Sequence, residues 1–263
     1  MNKSSLLMLI ATTTLSGNIS AMEEDKTSKI YANPARESVA EVAPALQAYS
    51  QAFIHNDLWN RTELSRRDRS LITMAALIAR NDTTELPMYT EIALDNGVSP
   101  AQISEMITHL AFYAGQPNAY SAAVAIRPVF KKRGIRSEDL PGKDVNLLPL
   151  NAEVERAREA DVNKEYGSVA PGVIKYTTEA LFRELWLRPA LAPRDRSLIT
   201  VVTLVTTGNV GPVPYHLNRA MDNGLEQEQA SEILTQLAFY IGWPNTFAAM
   251  PYFKKAFDAR NLR

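Results

Sequence analysis

The sequence contains no cysteine among its 263 residues. Disulfide bonds, lipid attachment through cysteine and every form of thiol chemistry are therefore excluded for this chain. A complete lack of cysteine also suits an oxidising compartment. Histidine is scarce as well, with His55, His109 and His216 as its three residues. Few side chains can consequently exchange protons near neutral pH.

An excess of charge of one sign is also lacking. The chain has 28 lysine and arginine residues against 29 aspartate and glutamate residues, a formal net charge of −1, and these charges are scattered. Nucleic-acid-binding proteins instead show a basic patch or stripe, so we expect no nucleic-acid partner. A composition that is 46% hydrophobic and 22% charged is typical of a globular protein.

No apolar run is long enough for a persuasive membrane span, but the N-terminus resembles a secretory signal. Lys3 supplies a positive charge, Leu6–Leu15 a short apolar stretch, and Ala21 ends a small-residue cleavage site. The alternative is a buried first helix, which the threonines at 12–14 disfavour. We expect residues 1–21 to be a signal peptide, and the mature protein to be periplasmic or secreted and not bound to a membrane.

The chain contains one segment twice. Val42–Tyr120 aligns with Val169–Phe247 without a gap, and 32 of the 79 positions are identical. A period of this length is too long for a solenoid unit and suits two copies of a small domain. We predict a first repeat over 22–133, a linker over 134–150 and a second repeat over 151–263.

The pattern within each repeat is helical. Ser65 with Asp68 predicts the N-terminus of a first helix, and the apolar residues that follow have helical spacing. Asn96-Gly97 predicts the end of a second helix, and Ser99 with Gln102 predicts a capped third.

A fourth helix is expected from Asn118 to about Lys132, with Asn118 and its twin Asn245 as N-caps. No strand pattern is strong. The predicted fold class is all-α, with two tandem helical repeats packed as a pseudo-dimer.

Three motifs occur in both repeats in the same order: RDRSLIT, DNG and LAFY-x-G-x-PN. Together with HLAFYAGQPN at His109–Asn118, they closely resemble the carboxymuconolactone decarboxylase family, whose fold is that of alkylhydroperoxidase D-like proteins. The resemblance covers both repeats and is more specific for fold than for reaction. Its thiol peroxidase branch uses a Cys-x-x-Cys pair where Asn209 and Pro212 stand here, so that chemistry is impossible in this chain.

The resemblance also implies a glutamate one helical turn before a histidine. The first repeat keeps Glu85 but has Tyr89 at the histidine position, whereas the second keeps His216 but has Pro212 at the glutamate position. Likewise, the second repeat has Gln236 at the position equivalent to His109. These complementary losses predict one composite site in which His216 is the general acid/base, Glu85 orients it, and His109 is an electrophilic or second proton-transfer group.

The alternative is that each polar residue drifted singly after duplication. His216 would then be a half-buried structural histidine, and Glu85 a charge that favours its helix N-terminus. His55, whose twin is Phe182, is expected to be packing. Aromatic residues are expected to line a cavity and contact substrate, namely Tyr89, Tyr113, Tyr215 and Trp243.

The arginines of the two RDR triplets, Arg67, Arg69, Arg194 and Arg196, could bind a substrate carboxylate. Helix capping by the intervening aspartates and ion pairing between helices are the expected roles of these triplets.

By resemblance, the expected reaction is a cofactor-independent decarboxylation or isomerisation of a small carboxylated lactone or oxo-acid, without a metal. Two alternatives stay open: an exported binding or scaffolding protein without catalysis, and a metal-dependent oxygen or peroxide enzyme. Subunits of the family form rings built from dimers, so a chain with two fused repeats is expected to form a homotrimer.

Overall fold

The computed structural model describes residues 34–262, with side chains from Ser38 onward. The expected signal peptide at 1–21 lies outside these residues. The described chain forms two compact units that divide after Asn60, inside the first sequence repeat. Within the described residues, no helix is long and apolar enough to cross a membrane.

The first unit is a short helical segment. It comprises α1 (Pro34–Val42), α2 (Pro44–Tyr49), a π-helical turn (Ser50–His55) and a 3-10 turn (Leu58–Asn60). His55, Leu58 and Trp59 are buried. The burial of His55 agrees with the packing role expected from the sequence.

The second unit holds the rest of the helices. They are α3 (Arg66–Ala79), α4 (Leu86–Asp95), α5 (Pro100–Leu110), α6 (Gln116–Lys132), a 3-10 turn (Ser137–Asp139), α7 (Ala152–Tyr166), α8 (Pro171–Tyr176), a π-helical turn (Thr177–Phe182), a 3-10 turn (Leu185–Leu187), α9 (Pro193–Thr206), α10 (Val213–Asp222), α11 (Gln227–Ile241) and α12 (Trp243–Asn261). The described chain contains no strand, which confirms the all-α fold class.

The core of this unit is formed by the twin helices α3 and α9, which carry the RDRSLIT motifs. Every residue of α3 from Asp68 to Ala79 and of α9 from Asp195 to Thr206 is buried. A helix that is buried on all sides must lie at the centre of its fold. The two helices pack against each other, and α3 also packs on α11 while α9 packs on α5. The two repeats therefore meet through their central helices.

Most helix ends follow the sequence. The hydroxyl of Ser65 accepts a hydrogen bond from the amide of Asp68, and Ser99 forms a reciprocal capping box with Gln102. Gly97 has φ 87°, the left-handed conformation that a glycine after a helix can adopt. These predictions are confirmed.

The prediction that Asn118 and Asn245 are N-caps is wrong. Both lie inside the first turn of their helices, since α6 begins at Gln116 and α12 at Trp243. The Nδ2 of Asn118 donates to the carbonyl of Ala79 at 3.1 Å, and that of Asn245 to the carbonyl of Thr206 at 3.2 Å. Each asparagine thus satisfies a free carbonyl at the C-terminus of a central helix.

The RDR triplets join the two central helices by reciprocal ion pairs. Arg67 donates to Asp195 at 2.7 Å, and Arg194 donates to both oxygens of Asp68 at 2.7 and 2.8 Å. The same two positions are exchanged in the two pairs, as a pseudo-twofold relation between repeats requires. The expected ion pairing between helices is confirmed for these residues.

Candidate functional site

The site is built around a buried arginine that crosses from one repeat to the other. Arg196 on α9 has no exposed surface. Its Nη2 donates to Oε1 of Glu105 on α5 at 2.8 Å, and Arg188 donates to the same oxygen at 2.7 Å. One carboxylate from the first repeat therefore holds two guanidinium groups from the second, and such charge-assisted bonds have well-defined geometry.

His109 lies one helical turn after Glu105 and is held by the same arginine. Its Nε2 is 2.8 Å from the hydroxyl of Thr200, and its Nδ1 is 3.3 Å from Nη1 of Arg196. The hydroxyl of Thr200 donates its own proton to the carbonyl of Arg196, so it must accept from Nε2 of His109. A guanidinium can only donate, so Nδ1 accepts. Both ring nitrogens are thereby engaged in a neutral imidazole.

The surroundings of His109 also disfavour its charged form. Complete burial, followed by the positive charge of Arg196, lowers its pKa well below the usual value for histidine. Because both nitrogens are occupied and the ring is fully buried, this geometry favours a positioning role. The direct proton transfer expected from the sequence stays a prediction.

The twin of His109 makes the same contacts in the other repeat. Gln236 accepts from Nη1 of Arg69 at 2.8 Å and donates to the hydroxyl of Thr73 at 3.0 Å. Arg69 in turn donates to Glu232, the twin of Glu105, at 2.8 Å. A glutamine amide, with one acceptor and one donor end, thus replaces a neutral imidazole in an otherwise equivalent network.

His216 on α10 lies beside His109 in a group of five aromatic rings and one guanidinium. We name this group the histidine cluster: His109, Tyr113, Trp186, Tyr215, His216 and Arg219. The imidazole of His216 stacks on Trp186, with centroids 5.5 Å apart and planes 14° apart. Tyr113 meets it edge-on at 5.7 Å. Tyr113 belongs to the first repeat, and Trp186 and His216 to the second, so the cluster spans both repeats.

The imidazole of His216 differs from that of His109 because it makes no hydrogen bond within the described chain, and its buried Nδ1 is without a partner there. The side chain is 6% exposed. Burial, and then the charge of Arg219, lowers its pKa to about 3. His216 is therefore neutral at pH 7 and has free hydrogen-bonding capacity.

Arg219 lies one turn after His216 on α10, so the two side chains leave the same side of the helix. Its guanidinium carbon is 4.3 Å from the centre of the Trp186 ring, which is a cation–π contact. Nη1 donates to the hydroxyl of Tyr215 at 3.3 Å. The positive charge of the cluster thus stands next to two neutral imidazoles.

Tyr113 is the member of the histidine cluster that contacts both His109 and Trp186. Its hydroxyl accepts from the indole Nε1 of Trp186 at 2.9 Å, and its ring stacks on His109 at 5.0 Å. Burial raises the pKa of Tyr113, which keeps the phenol protonated. Its hydroxyl proton is consequently available to an acceptor.

Tyr89 occupies the position of His216 in the first repeat. Its hydroxyl lies 2.9 Å from that of Tyr240, the twin of Tyr113, and the rings meet edge-on at 5.5 Å. The pair has the ring geometry of His216 with Tyr113 but carries two phenols. The structure therefore contains two equivalent positions, and only one of them holds histidines.

Glu85 is the N-cap residue of α4, the helix that carries Tyr89. Its twin Pro212 is the N-cap residue of α10, the helix of His216. The structure brings His109 and His216 into one cluster and assigns Glu85 to the helix of the other, tyrosine-containing position. No carboxylate bonds to His216 within the described residues, and a role for Glu85 at His216 stays a prediction.

Of the expected substrate-contacting residues, Tyr113 and Tyr215 belong to the histidine cluster, whereas Tyr89 belongs to the equivalent position. Trp243 lies elsewhere: it is half exposed, meets Phe239 edge-on at 5.0 Å and lines an apolar groove between α11 and α12. None of the residues lining that groove belongs to the histidine cluster. A ligand contact for Trp243 stays a prediction that would concern this groove.

Sequence reasoning missed Trp186 and Arg219 as parts of the site. The comparison of twins contained the signal for Arg219, since Ile92 stands at its equivalent position. Trp186 gave no such signal, because its twin Trp59 is identical. Trp186 is assigned to the site because its ring contacts those of His109, Tyr113 and His216.

The described residues contain no group of three histidine, aspartate or glutamate side chains arranged to hold a metal ion. The histidine cluster offers two imidazoles, and no carboxylate of residues 38–262 bonds to them. His109 is moreover engaged at both nitrogens.

Comparison with known proteins gives consistent results. The model of the carboxymuconolactone decarboxylase family matches residues 44–127 and again 171–255. The 4-carboxymuconolactone decarboxylase of Acinetobacter baylyi is 32% identical over 108 residues, which are 41% of this chain and 81% of that protein. The nitrosuccinic acid decarboxylase of Metarhizium robertsii is 36% identical over 67 residues, which are 26% of this chain and 47% of that protein.

A solved structure supports the fold. A crystal structure from Burkholderia xenovorans, described as a gamma-carboxymuconolactone decarboxylase subunit, matches with a TM-score of 0.53. The match covers 91% of this chain and 98% of the other at 16% sequence identity. At that identity the likeness concerns the fold alone.

Proposed function

Because the chain belongs to the carboxymuconolactone decarboxylase family, we propose that it decarboxylates a small carboxylated lactone or oxo-acid at the histidine cluster, without a cofactor. Both named relatives are decarboxylases, which supports this reaction type. The observation that carries the proposal is the state of His216. It is a buried, neutral imidazole whose Nδ1 has no partner among the described residues, and it stands beside a cation and a protonated phenol.

Decarboxylation breaks the bond between carbon and the departing carboxylate, and its electron pair moves onto a neighbouring carbonyl as an enolate. A hydrogen-bond donor near the enolate oxygen stabilises that charge. The hydroxyl of Tyr113 or an N–H of neutral His216 can supply it. The carbon must then receive a proton to complete the reaction.

His216 is proposed as the residue that carries this proton. Its low pKa belongs to the ligand-free protein, where burial and Arg219 oppose its charge. An anionic substrate adjacent to the ring favours the charged form and raises the pKa. Substrate binding would therefore be coupled to proton uptake by His216, and the imidazolium would then protonate the carbon.

His109 is proposed to act through its neighbours rather than on the substrate. It stacks on Tyr113 and bonds to Arg196, so it fixes both the phenol and the buried ion pair. Tyr215, which is 44% exposed, is proposed to contact substrate at the solvent side. Glu85 and Tyr89 would act only if their helix contributes to the same reaction, as the sequence predicted.

The proposal is tested by replacing the imidazole with an amide. We expect His216→Gln to lower the rate of carbon dioxide release about 100-fold or more, because loss of a general acid/base typically costs 10²–10⁴. His55→Gln is the matched control, since it makes the same chemical change at a buried histidine outside the cluster. Carbon dioxide release would be followed over a panel of carboxylated lactones and oxo-acids. Full activity in His216→Gln would remove His216 from the mechanism.

A second candidate is an exported protein that binds such a compound without turning it over. The lack of a carboxylate on His216 within the described chain favours it, because no hydrogen bond to Nδ1 there fixes the tautomer of the imidazole. Calorimetric binding without carbon dioxide release, for every compound of the panel, would decide for this candidate.

Export and the metal-free chemistry are also proposals. Sequencing the N-terminus of protein from its native host would test export, since a start at Met1 or Asn2 contradicts cleavage after Ala21. Elemental analysis of freshly purified protein would test the alternative of a metal-dependent oxygen or peroxide enzyme.

A further inference from the structure

Exposed aromatic side chains occur at equivalent positions of the two repeats. In the second repeat, the groove between α11 and α12 has a volume of about 610 Å³ and leaves Trp243 and Phe247 at least half exposed. In the first repeat, Phe112 and Tyr120 are exposed to a similar degree. They are the twins of Phe239 and Phe247, which both line the groove. Exposed apolar patches with a polar rim mark surfaces that contact another molecule.

The final helix of each repeat carries one stripe of these positions. On α12 the stripe lines the groove and consists of Trp243, Phe247, Met250, Lys254 and Asp258. On α6 the twin positions, together with the preceding aromatic residue, form a surface that we name the first-repeat face: Phe112, Gln116, Tyr120, Ala123, Arg127 and Lys131. Spacings of three and four residues place the members of each stripe on one side of their helix. Both surfaces therefore have aromatic rings toward the helix N-terminus and charged side chains toward its C-terminus.

The two surfaces differ in charge. Arg127 and Lys131 are exposed, and neither pairs with a carboxylate of residues 38–262. On the groove, Lys254 pairs with Asp258 at 2.6 Å, so the charges there cancel. Contact between two first-repeat faces would bring four cations together, which costs free energy. Contact between a first-repeat face and a groove instead brings two cations toward the carboxylate of Asp258.

The two surfaces also differ in side-chain size. Gln116 and Ala123 of the first-repeat face stand where the groove has Trp243 and Met250. Small side chains on one of two contacting surfaces allow the bulky residues of the other to fit closely. Size and charge therefore both favour contact between unlike surfaces.

We propose that the groove of one chain binds the first-repeat face of a second copy of this chain. Trp243 and Phe247 form the apolar centre of the contact, and Arg127 and Lys131 approach Asp258 at its rim. Each chain carries one of each surface, so the contact runs head to tail and closes into a ring when its rotation allows. No residue of the histidine cluster belongs to either surface, so this inference does not depend on the proposed function.

The apolar centre is tested with Trp243→Gln, which introduces the residue that the first repeat has at this position. Sedimentation velocity of the full chain across dilution measures the dissociation constant between copies. We expect Trp243→Gln to raise that constant about 30-fold or more, because aromatic residues at the centre of an interface carry much of the affinity. Tyr166→Gln is the matched control and should leave the constant unchanged, since it removes an exposed aromatic ring of α7 outside both surfaces.

The charges are tested by exchanging them between the two surfaces. Lys131→Glu or Asp258→Lys alone places like charges opposite each other, and each is expected to raise the dissociation constant about tenfold. The double variant, Lys131→Glu with Asp258→Lys, restores opposite charges and should return the constant to within about threefold of wild type. The control is Lys255→Glu, which makes the same charge change on α12 at a position that does not line the groove.

Three results would overturn the proposal. They are a wild-type mass near 29.2 kDa across dilution, an unchanged dissociation constant in Trp243→Gln, and a double charge variant that associates no more tightly than the single ones. A refuted contact would leave the proposed function standing, because that function is measured by carbon dioxide release.

Discussion

The exchange of His109 for Gln236 is informative because the two side chains make the same two contacts. Each accepts from a buried arginine, and each meets a threonine hydroxyl. A neutral imidazole and a primary amide both offer one acceptor and one donor, so one can satisfy the neighbours of the other. The protein thus contains its own example of a glutamine in the His109 position.

We therefore expect His109→Gln to change the free energy of unfolding by about 1 kcal/mol or less, whereas His109→Leu leaves a buried guanidinium N–H unsatisfied and costs about 1–3 kcal/mol. Denaturant unfolding of both variants measures the difference. Similar losses in the two variants would show that glutamine does not substitute for the imidazole. If His109→Gln is stable but inactive, His109 acts on the substrate as the electrophilic or second proton-transfer group that the sequence predicted.

Stability should also depend on pH through His216. Its pKa is lowered to about 3 in the folded protein and is near the ordinary 6.5 in the unfolded chain, so only the unfolded chain takes up the proton between these values. Stability is therefore fully present above pH 6.5 and falls as the pH decreases. Between pH 7 and pH 5, we expect wild type to lose about 2 kcal/mol more than His216→Gln. Equal pH profiles of the free energy of unfolding would contradict the lowered pKa.

At this scale the twin comparison predicted the two histidines but not their different states. The sequence cannot show that Thr200 and Arg196 occupy both nitrogens of His109, because these contacts come from another helix. The approach of Glu85, on the helix of Tyr89, to His216 of the other repeat stays a prediction. Arg219 could have been found by comparing the repeats, because the first repeat has Ile92 at the equivalent position. A polar difference of the same kind identified His109.

At the scale of the helices, α5 carries the buried carboxylate of Glu105, which pairs with two arginines of the other repeat. Oε1 of Glu105 accepts from both Arg188 and Arg196, and all three side chains are buried. Removal of one member of such a group leaves the others as uncompensated buried charges.

Glu105→Gln is accordingly expected to lower the free energy of unfolding by about 3–5 kcal/mol. Glu91→Gln is the matched control, because Glu91 pairs with Lys132 and Arg133 at the surface and such pairs contribute about 1 kcal/mol or less. Thermal or denaturant unfolding measures both variants. A cost for Glu105→Gln no greater than for the control would mean that the buried arginines find other acceptors.

The sequence predicted helix starts well where a local signal exists, as at Ser65 and Ser99. It misplaced the start of α6 because Gly115, with φ 91°, is the residue that changes the chain direction, and Pro117 fits into the first turn. Asn118 was then free to reach a carbonyl of a distant helix. Such a contact depends on tertiary packing, and no local pattern reveals it.

For the whole molecule, the duplication predicted the fold class and the meeting of two repeats. The sequence did not predict the division of the chain after Asn60. A repeat in sequence indicates common ancestry, whereas the compact units are defined by contacts between residues in the folded chain. The predicted linker lies within the second unit, and the predicted bounds of the two repeats stay a prediction.

We propose, as the sequence led us to expect, that three chains assemble into a ring of six repeats. The apolar groove between α11 and α12 leaves Trp243, Phe247 and Met250 substantially exposed, and exposed apolar patches of this kind mark contact surfaces. Light scattering should give about three times the 29.2 kDa of one chain. A mass near 29 kDa that persists across dilution would reject the trimer.

The linker is anchored to the same ion group that joins the repeats. Arg188, while bound to Glu105, also donates to the carbonyls of Gly142 and Lys143. The amide of Leu148 donates to the carbonyl of Leu187, which fixes the segment a second time. A protease that cut the chain within 144–147, between these anchors, would break the covalent connection between the two repeats. Neither repeat would be released, because the salt bridges that hold them together are side-chain contacts and survive the loss of one peptide bond.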